Sequence, residues 1–285
     1  MLKQLNKTLI VLALSGYTVV TALVSSAVVG AGYLTQQPGV PLSDYRAAAA
    51  RYQNPVGFLA HSLGIAAVIG VCWALMRWLH GLPLGWLSSV RPGLRWRYLG
   101  WCLLAAAVVV YGIVAVTAVV GPQPLVWRPQ PGLVAVLLVV VLVTPLQSAA
   151  EEYLFRGYLL QTMGSFSTPW VGVILSSLLF AALHGSQNLP LFVNRLAFGL
   201  LAATLVLATG GLEAGIAAHI INNVSAYTMA ALTTSVASLR AVRELTWLAS
   251  SLNIAAFALF TAAALLIAHR LRLRTTTPAA IGSVR

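Results

Sequence analysis

Residues 133–156 read LVAVLLVVVLVTPLQSAAEEYLFR. Leu133–Ala150 passes without a charged side chain, and two adjacent carboxylates, Glu151 and Glu152, then follow in the same predicted helix. An unbroken apolar run of about 18 residues or more is what a bilayer core requires of a helix, because each residue advances the helix by only about 1.5 Å. A soluble helix would alternate apolar and polar faces, and this segment does not. It therefore reads as a membrane span that carries ionisable groups toward one end.

Similar blocks recur on both sides of it. Eight spans are expected: Leu9–Tyr33, Val56–Leu79, Tyr98–Val120, Leu133–Leu160, Trp170–His184, Leu191–Ala208, Leu212–Leu232 and Leu245–His269. Leu9–Tyr33 is longer than the apolar core of a cleaved signal peptide, so it reads as a retained first span. The connecting stretches carry their own punctuation. Thr35–Asn54 is a polar loop with a short surface helix expected from Leu42 to Tyr52, Gly81–Arg97 is rich in Arg and Trp, and Gly121–Gly132 holds four prolines. Ser167-Thr168-Pro169 and Asn188-Leu189-Pro190 are helix-start signals, and Gly210-Gly211 is a helix stop. The fifth span is short for a bilayer, as expected of a helix shielded by other helices. No internal repeat and no soluble segment stands out. The fold class is all-α, a polytopic transmembrane helix bundle forming one membrane-embedded domain over 1–285, its motif-bearing core at about 133–232.

Composition agrees. The chain of 285 residues is 59% hydrophobic and 8% charged, against about 25% charged in a soluble domain. Its formal net charge of +12 would point to nucleic acid in a soluble protein, but the basic residues fall between the apolar blocks, where membrane proteins use them for orientation and for contact with anionic lipid. The expected partners are the lipid bilayer and a peptide or protein substrate, with no nucleic acid. Lys3, Lys7, Arg77, Arg91, Arg95, Arg97, Arg270, Arg272, Arg274 and Arg285 fall on one side of the bundle, against Arg46, Arg51, Arg128, Arg240 and Arg243 on the other. The positive-inside rule then makes both N- and C-termini cytoplasmic and places the protein in the cell membrane as a multi-pass protein. Cys72 and Cys102 lie inside apolar blocks and read as small buried hydrophobes.

Chemistry must come from the few polar groups within the spans, where an ionisable side chain costs a few kcal/mol and marks function. Asp44 and Glu244 fall in loops, and Glu213 falls in a first helical turn, where the helix dipole favours it. Glu152 and Arg156, four residues apart, share a helix face and can pair. Glu151 lies about 100° around the helix from Glu152, so one carboxylate can be held by Arg156 while the other stays free for proton transfer. The alternative, that the two acids merely end a span among the headgroups, stands equally on these residues alone. His184 closes Phe180-Ala181-Ala182-Leu183-His184, and His219 and Asn223 share a face four residues apart. His61, His80, His269 and Asn222 read as packing residues. Counting from the turns at Gly164, Pro169 and Gly211, the groups Glu151, His184 and Asn223 all fall about 18–22 Å into the bundle, near one level.

Glu-Glu-x-x-x-Arg at 151–156, Phe-x-x-x-His at 180–184 and His-x-x-x-Asn at 219–223, each on its own span, resemble the CPBP family: the CaaX protease and bacteriocin-processing (Abi) intramembrane glutamic endopeptidases. The resemblance covers about Ala149 to Tyr227. It implies an eight-helix membrane bundle with its site open to the cytoplasm. Glu151 would activate a water with help from His184, His219 and Asn223 would stabilise the oxyanion, and Glu152, Phe155, Arg156 and Phe180 would support the site. No cofactor is expected. A two-His, one-carboxylate zinc set of Glu151, His184 and His219 is the alternative, although no His-Glu-x-x-His motif is present. A non-catalytic scaffold or immunity-type protein of the same fold, and a small-solute or proton transporter, are the competing functional readings.

Overall fold

The computed structural model describes residues 2–36, 39–120 and 126–277, with the side chains of 7–36, 39–116 and 126–277. Lys3 (its side chain) and Arg285 of the charge count, and the Gly121–Leu125 part of the third loop, lie outside what is described. The helices, in chain order, are α1 (Leu2–Gln36), α2 (Leu42–Ala50), α3 (Pro55–Leu79), α4 (Trp96–Val120), α5 (Leu133–Gly164), α6 (Pro169–Ala182), α7 (Leu189–Thr209), α8 (Glu213–Thr233), α9 (Val236–Ala241) and α10 (Trp247–Arg270). A single helical turn, Gly85–Ser88, precedes α4. Among the described residues there is no strand, only an isolated antiparallel bridge between Ser89 and Gly211.

Six of these helices are long and apolar enough to cross a membrane: α1, α3, α4, α5, α7 and α10. The chain is thus a multi-pass membrane protein of all-α class. The other two expected spans exist as helices of a different kind. The fifth, α6, has 14 residues and reaches only about 21 Å. The seventh, α8, has 21 residues but carries Glu213, His219, Asn222 and Asn223. α8 is protected by protein, whereas α6 leaves an apolar face with Trp170, Ile174, Leu175 and Leu178 exposed. α8 packs against α4, α5, α7, α9 and α10, and α6 packs against α5 and α7. A helix covered on several faces does not need an apolar surface all round.

Local signals place the helix ends. Asn188 accepts from Leu191 N at 3.2 Å as the cap of α7, and Gly210 ends that helix at φ 69°, a left-handed geometry that costs glycine little. Asp44 lies in the first turn of α2 and not in a loop. Within α5 the helix breaks at Val143 (φ −108°) and resumes with Pro145 in its first turn, where the missing amide proton removes no bond. Beyond Glu152 the same helix widens into a π-helical stretch, Tyr153–Leu159.

Small residues let backbones approach where side-chain volume would hold them apart. Ser25 donates to Ala60 O at 3.0 Å between α1 and α3. A methyl on Gly172 would collide with the carbonyl of Leu160, so the α5–α6 hairpin depends on that glycine. The bundle has two distinct ends. At the first, Arg95 grips Glu213 through Nε–Oε1 (2.8 Å) and Nη2–Oε2 (2.6 Å) and donates to Thr209 O at 2.8 Å and Arg274 O at 3.3 Å. Sequence alone gave Glu213 only a helix dipole, but the buried fork to Arg95 is the stronger contact. At the second end, Arg128 N donates to Leu232 O and Asn188 N to Arg243 O. Exposed Trp78, Trp96 and Trp170 ring the first end, and Trp127 and Trp247 the second, as interfacial tryptophans do. Cys72 and Cys102 are free and buried.

Candidate active site

The carboxylates sit where α5 changes pitch. Glu151 is 7% exposed and Glu152 is wholly buried, so neither faces the headgroups. This settles the alternative left open by the sequence. Arg156, also wholly buried, donates from Nη1 to Glu152 Oε1 at 2.9 Å. This is the expected pairing across one turn. The guanidinium also lies 4.1 Å from the centroid of Phe180, with Phe198 at 5.5 Å and Phe155 at 5.9 Å. Aromatic faces attract a desolvated cation, so a charge that has one carboxylate partner gains three weaker ones.

His219 comes from α8 and lies between the two acids. Its Nδ1 is 2.8 Å from Glu152 Oε1, and its Nε2 is 3.2 Å from Glu151 Oε2. If both carboxylates are ionised, a proton sits on each nitrogen and the ring is a cation bridging them. Phe198 packs edge-on against this ring at 5.2 Å and Phe180 at 5.9 Å. Space for Glu152 is made one turn earlier on α8: a methyl on Gly215 would lie 2.7 Å from Glu152 Oε2.

Asn223, one turn beyond His219, donates from Nδ2 to Ser148 Oγ at 3.2 Å and accepts from Asn222 Nδ2 at 3.2 Å. Gln147 donates from Nε2 to Glu151 Oε2 at 3.2 Å. Glu151 Oε2 thus takes both contacts, and Oε1 has none assigned. His184 lies just past the end of α6. Its Nδ1 donates to Phe180 O at 2.7 Å, which leaves Nε2 as an acceptor. It makes no hydrogen bond to Glu151, although the two interact electrostatically, and its ring packs edge-on against Phe180 at 4.7 Å.

Of the expected residues, Glu151, Glu152, Phe155, Arg156, Phe180 and His219 form one contiguous cluster, Asn223 adjoins it through Ser148, and His184 packs against Phe180. Four contributors were not anticipated. Gln147 sits four residues before Glu151, a spacing that marks it in sequence. Ser148 and Gly215 carry the same spacing, four residues before Glu152 and His219, and Phe198 carries none. Asn222, taken as packing, hydrogen-bonds Asn223. Among the described residues no three His, Cys, Asp or Glu side chains converge as metal ligands. Nε2 of His219 faces Glu151 Oε2 and its Nδ1 faces Glu152 Oε1, while His184 turns its Nδ1 to Phe180 O.

The comparisons with known proteins bear on the same segment. Residues 130–225 match the family model of the type II CAAX prenyl endopeptidase Rce1-like proteins. A protein of Bacillus subtilis, strain 168, described as uncharacterized protein YyaK, is 24% identical over 175 residues, 58% of this chain and 58% of that relative. An Escherichia coli protein, described as an uncharacterized 24.3 kDa protein, is 28% identical over 173 residues, 57% of this chain and 75% of that one. The chain therefore spans less than two thirds of the Bacillus relative. No solved structure matches. The matched region contains every residue of the Glu151–His219 cluster, and over that region the chain is similar to the Rce1-like type II CAAX prenyl endopeptidases.

Proposed function

We propose that this protein is an intramembrane endopeptidase of the cell membrane that hydrolyses a peptide bond of a membrane-associated peptide with a water activated by Glu151. The observation that carries this reading is the division of labour between the two acids. Glu152 is wholly buried and neutralised by Arg156 as well as His219, whereas Glu151 shares only His219 and stays 7% exposed.

In this mechanism Oε1 of Glu151 takes a proton from water, and the oxygen forms a bond to the scissile carbonyl carbon while the C=O pair moves onto oxygen. His184 Nε2 accepts the other water proton as a hydrogen bond and fixes the lone pair's direction. The oxyanion draws on the second N–H of Asn223 and on the positive charge of His219, contributions of the kind worth about 3–4 kcal/mol in other enzymes. The C–N bond then breaks as the proton on Glu151 passes to the leaving nitrogen, giving a carboxylic acid and an amine. A helical substrate must unwind locally first, because its amides are otherwise paired. The reading needs no metal.

The test is cleavage of a mixed membrane-peptide library by the protein in lipid, comparing wild type with Glu151→Gln, each with and without chelator. A loss of about a thousandfold in the variant, with wild-type activity unchanged by chelator, is the expected result. Equal cleavage by both proteins would remove Glu151 from the mechanism, and loss to chelator would call for a metal.

A further inference from the structure

Gln147 stands on α5 one turn before Glu151 and is 5% exposed. Its Nε2 donates to Glu151 Oε2 at 3.2 Å. An ionised carboxylate only accepts, so this contact fixes which way the amide faces: Nε2 toward Glu151 and Oε1 away from it. That Oε1 is buried and has no hydrogen-bond partner among the described residues. Burying an acceptor in this state costs about 1–3 kcal/mol, and a methionine of similar length would not incur it. Service to Glu151 alone does not explain the cost, because Glu151 already has the His219 ring at 3.2 Å. The next residue, Ser148, accepts from Asn223 Nδ2 at 3.2 Å. One stretch of α5 thus carries the base, the support of an oxyanion donor and an acceptor with no partner.

We propose that Oε1 of Gln147 accepts a main-chain N–H of the substrate within two residues of the scissile bond, which makes Gln147 a specificity-determining residue for unwound peptide segments. The assignment rests on the endopeptidase reading. A membrane peptide that unwinds to present a carbonyl also frees N–H groups, and away from water each needs an acceptor. Gln147 supplies one that is already aimed. Four residues of helix separate it from Glu151, about 6 Å along the axis, and an extended chain advances about 3.3 Å per residue. The paired N–H therefore belongs within two residues of the carbonyl that Glu151 addresses. An ester or a proline at that place offers no proton.

A double-mutant cycle between enzyme and peptide tests this, first in binding and without turnover. Members of a mixed membrane-peptide library are titrated by fluorescence anisotropy onto the full-length Glu151→Gln protein in phosphatidylcholine nanodiscs. The tightest binder is remade with one amide replaced by an ester at each position in turn, which deletes one N–H and keeps the chain's shape. One ester should bind roughly tenfold more weakly than the parent. With Gln147→Met added, the parent should weaken by a similar factor and that ester should weaken no further. Gln147→Asn, whose amide is drawn back by one methylene, should also lose the discrimination, and it takes the place of Gln147→Met if that variant does not fold. Ester penalties that survive both changes, no penalty at any position, or no binding by any library member overturns the assignment. Wild-type cleavage of the parent is scored separately. Coupling without Glu151-dependent cleavage would keep the Gln147 contact and defeat the protease reading, and cleavage without coupling would do the reverse.

Discussion

Two nitrogens of Arg156, Nε and Nη2, are buried without a hydrogen-bond partner among the described residues, as is Oε2 of Glu152. The pair is nevertheless retained in a low-dielectric core, where removing one member of a buried ion pair costs about 3–5 kcal/mol because the other is left uncompensated. Arg156→Leu should therefore lower the unfolding midpoint in detergent micelles sharply, and Glu152→Gln with Arg156→Met should recover much of it. If the single change is silent, the pair has no structural role. Gly215→Ala should disturb Glu152 directly, since its methyl would meet Oε2, and should cut cleavage more than it cuts stability. This pairing was legible in the sequence because i and i+4 share a face whatever the fold. The bridging place of His219 was not, because it depends on how far α8 is advanced against α5. Phe198 was hidden more deeply still: one aromatic within an apolar span gives no signal of which neighbour it touches.

At the level of helices, the informative departures are α6 and α8. Their shortness or polarity breaks the rule for membrane spans, and both are the helices that bring site residues to α5. α6 stops after 14 residues, so His184 falls just past a helix end and is half-buried, with Gly185 and Ser186 exposed beyond it. Gln187 secures that loop by donating to Ala181 O at 2.7 Å and accepting from Arg195 at 2.6 Å. Its position depends on the α5–α6 contact at Gly172. Gly172→Val should cost about 1–3 kcal/mol through overpacking and should reduce cleavage further by shifting His184, both measurable on the purified variant. An unaltered melting midpoint would contradict the tight hairpin. Helix existence and caps were readable from apolar run length, proline and glycine. The break at Val143 is signalled by Pro145 two residues on, whereas the π-helical stretch was not readable, because it answers to packing against neighbouring helices.

Taken whole, the chain passes to and fro so that α1 begins and α10 ends on the same side, where Arg95 touches Arg274 O. The charge count puts that side in the cytoplasm. Cysteine labelling tests this, since native Cys72 and Cys102 are buried. Ser43→Cys and Ser167→Cys should label from opposite sides with an impermeant maleimide, Ser167 from the cytoplasm if the positive-inside count governs. Labelling of both from one side would contradict the topology. The bundle class followed from hydropathy alone, since no water-soluble solution exists for so few charges.

The central claim, that Glu151 activates water and does not itself attack, is tested most directly by a single turnover in ¹⁸O-labelled water with enzyme in excess over a cleaved peptide, followed by mass spectrometry of both partners. The account predicts one label in the new C-terminal carboxylate of the product and none in the enzyme peptide that carries Glu151. Label in the Glu151 carboxylate would mean a covalent acyl intermediate and would contradict it.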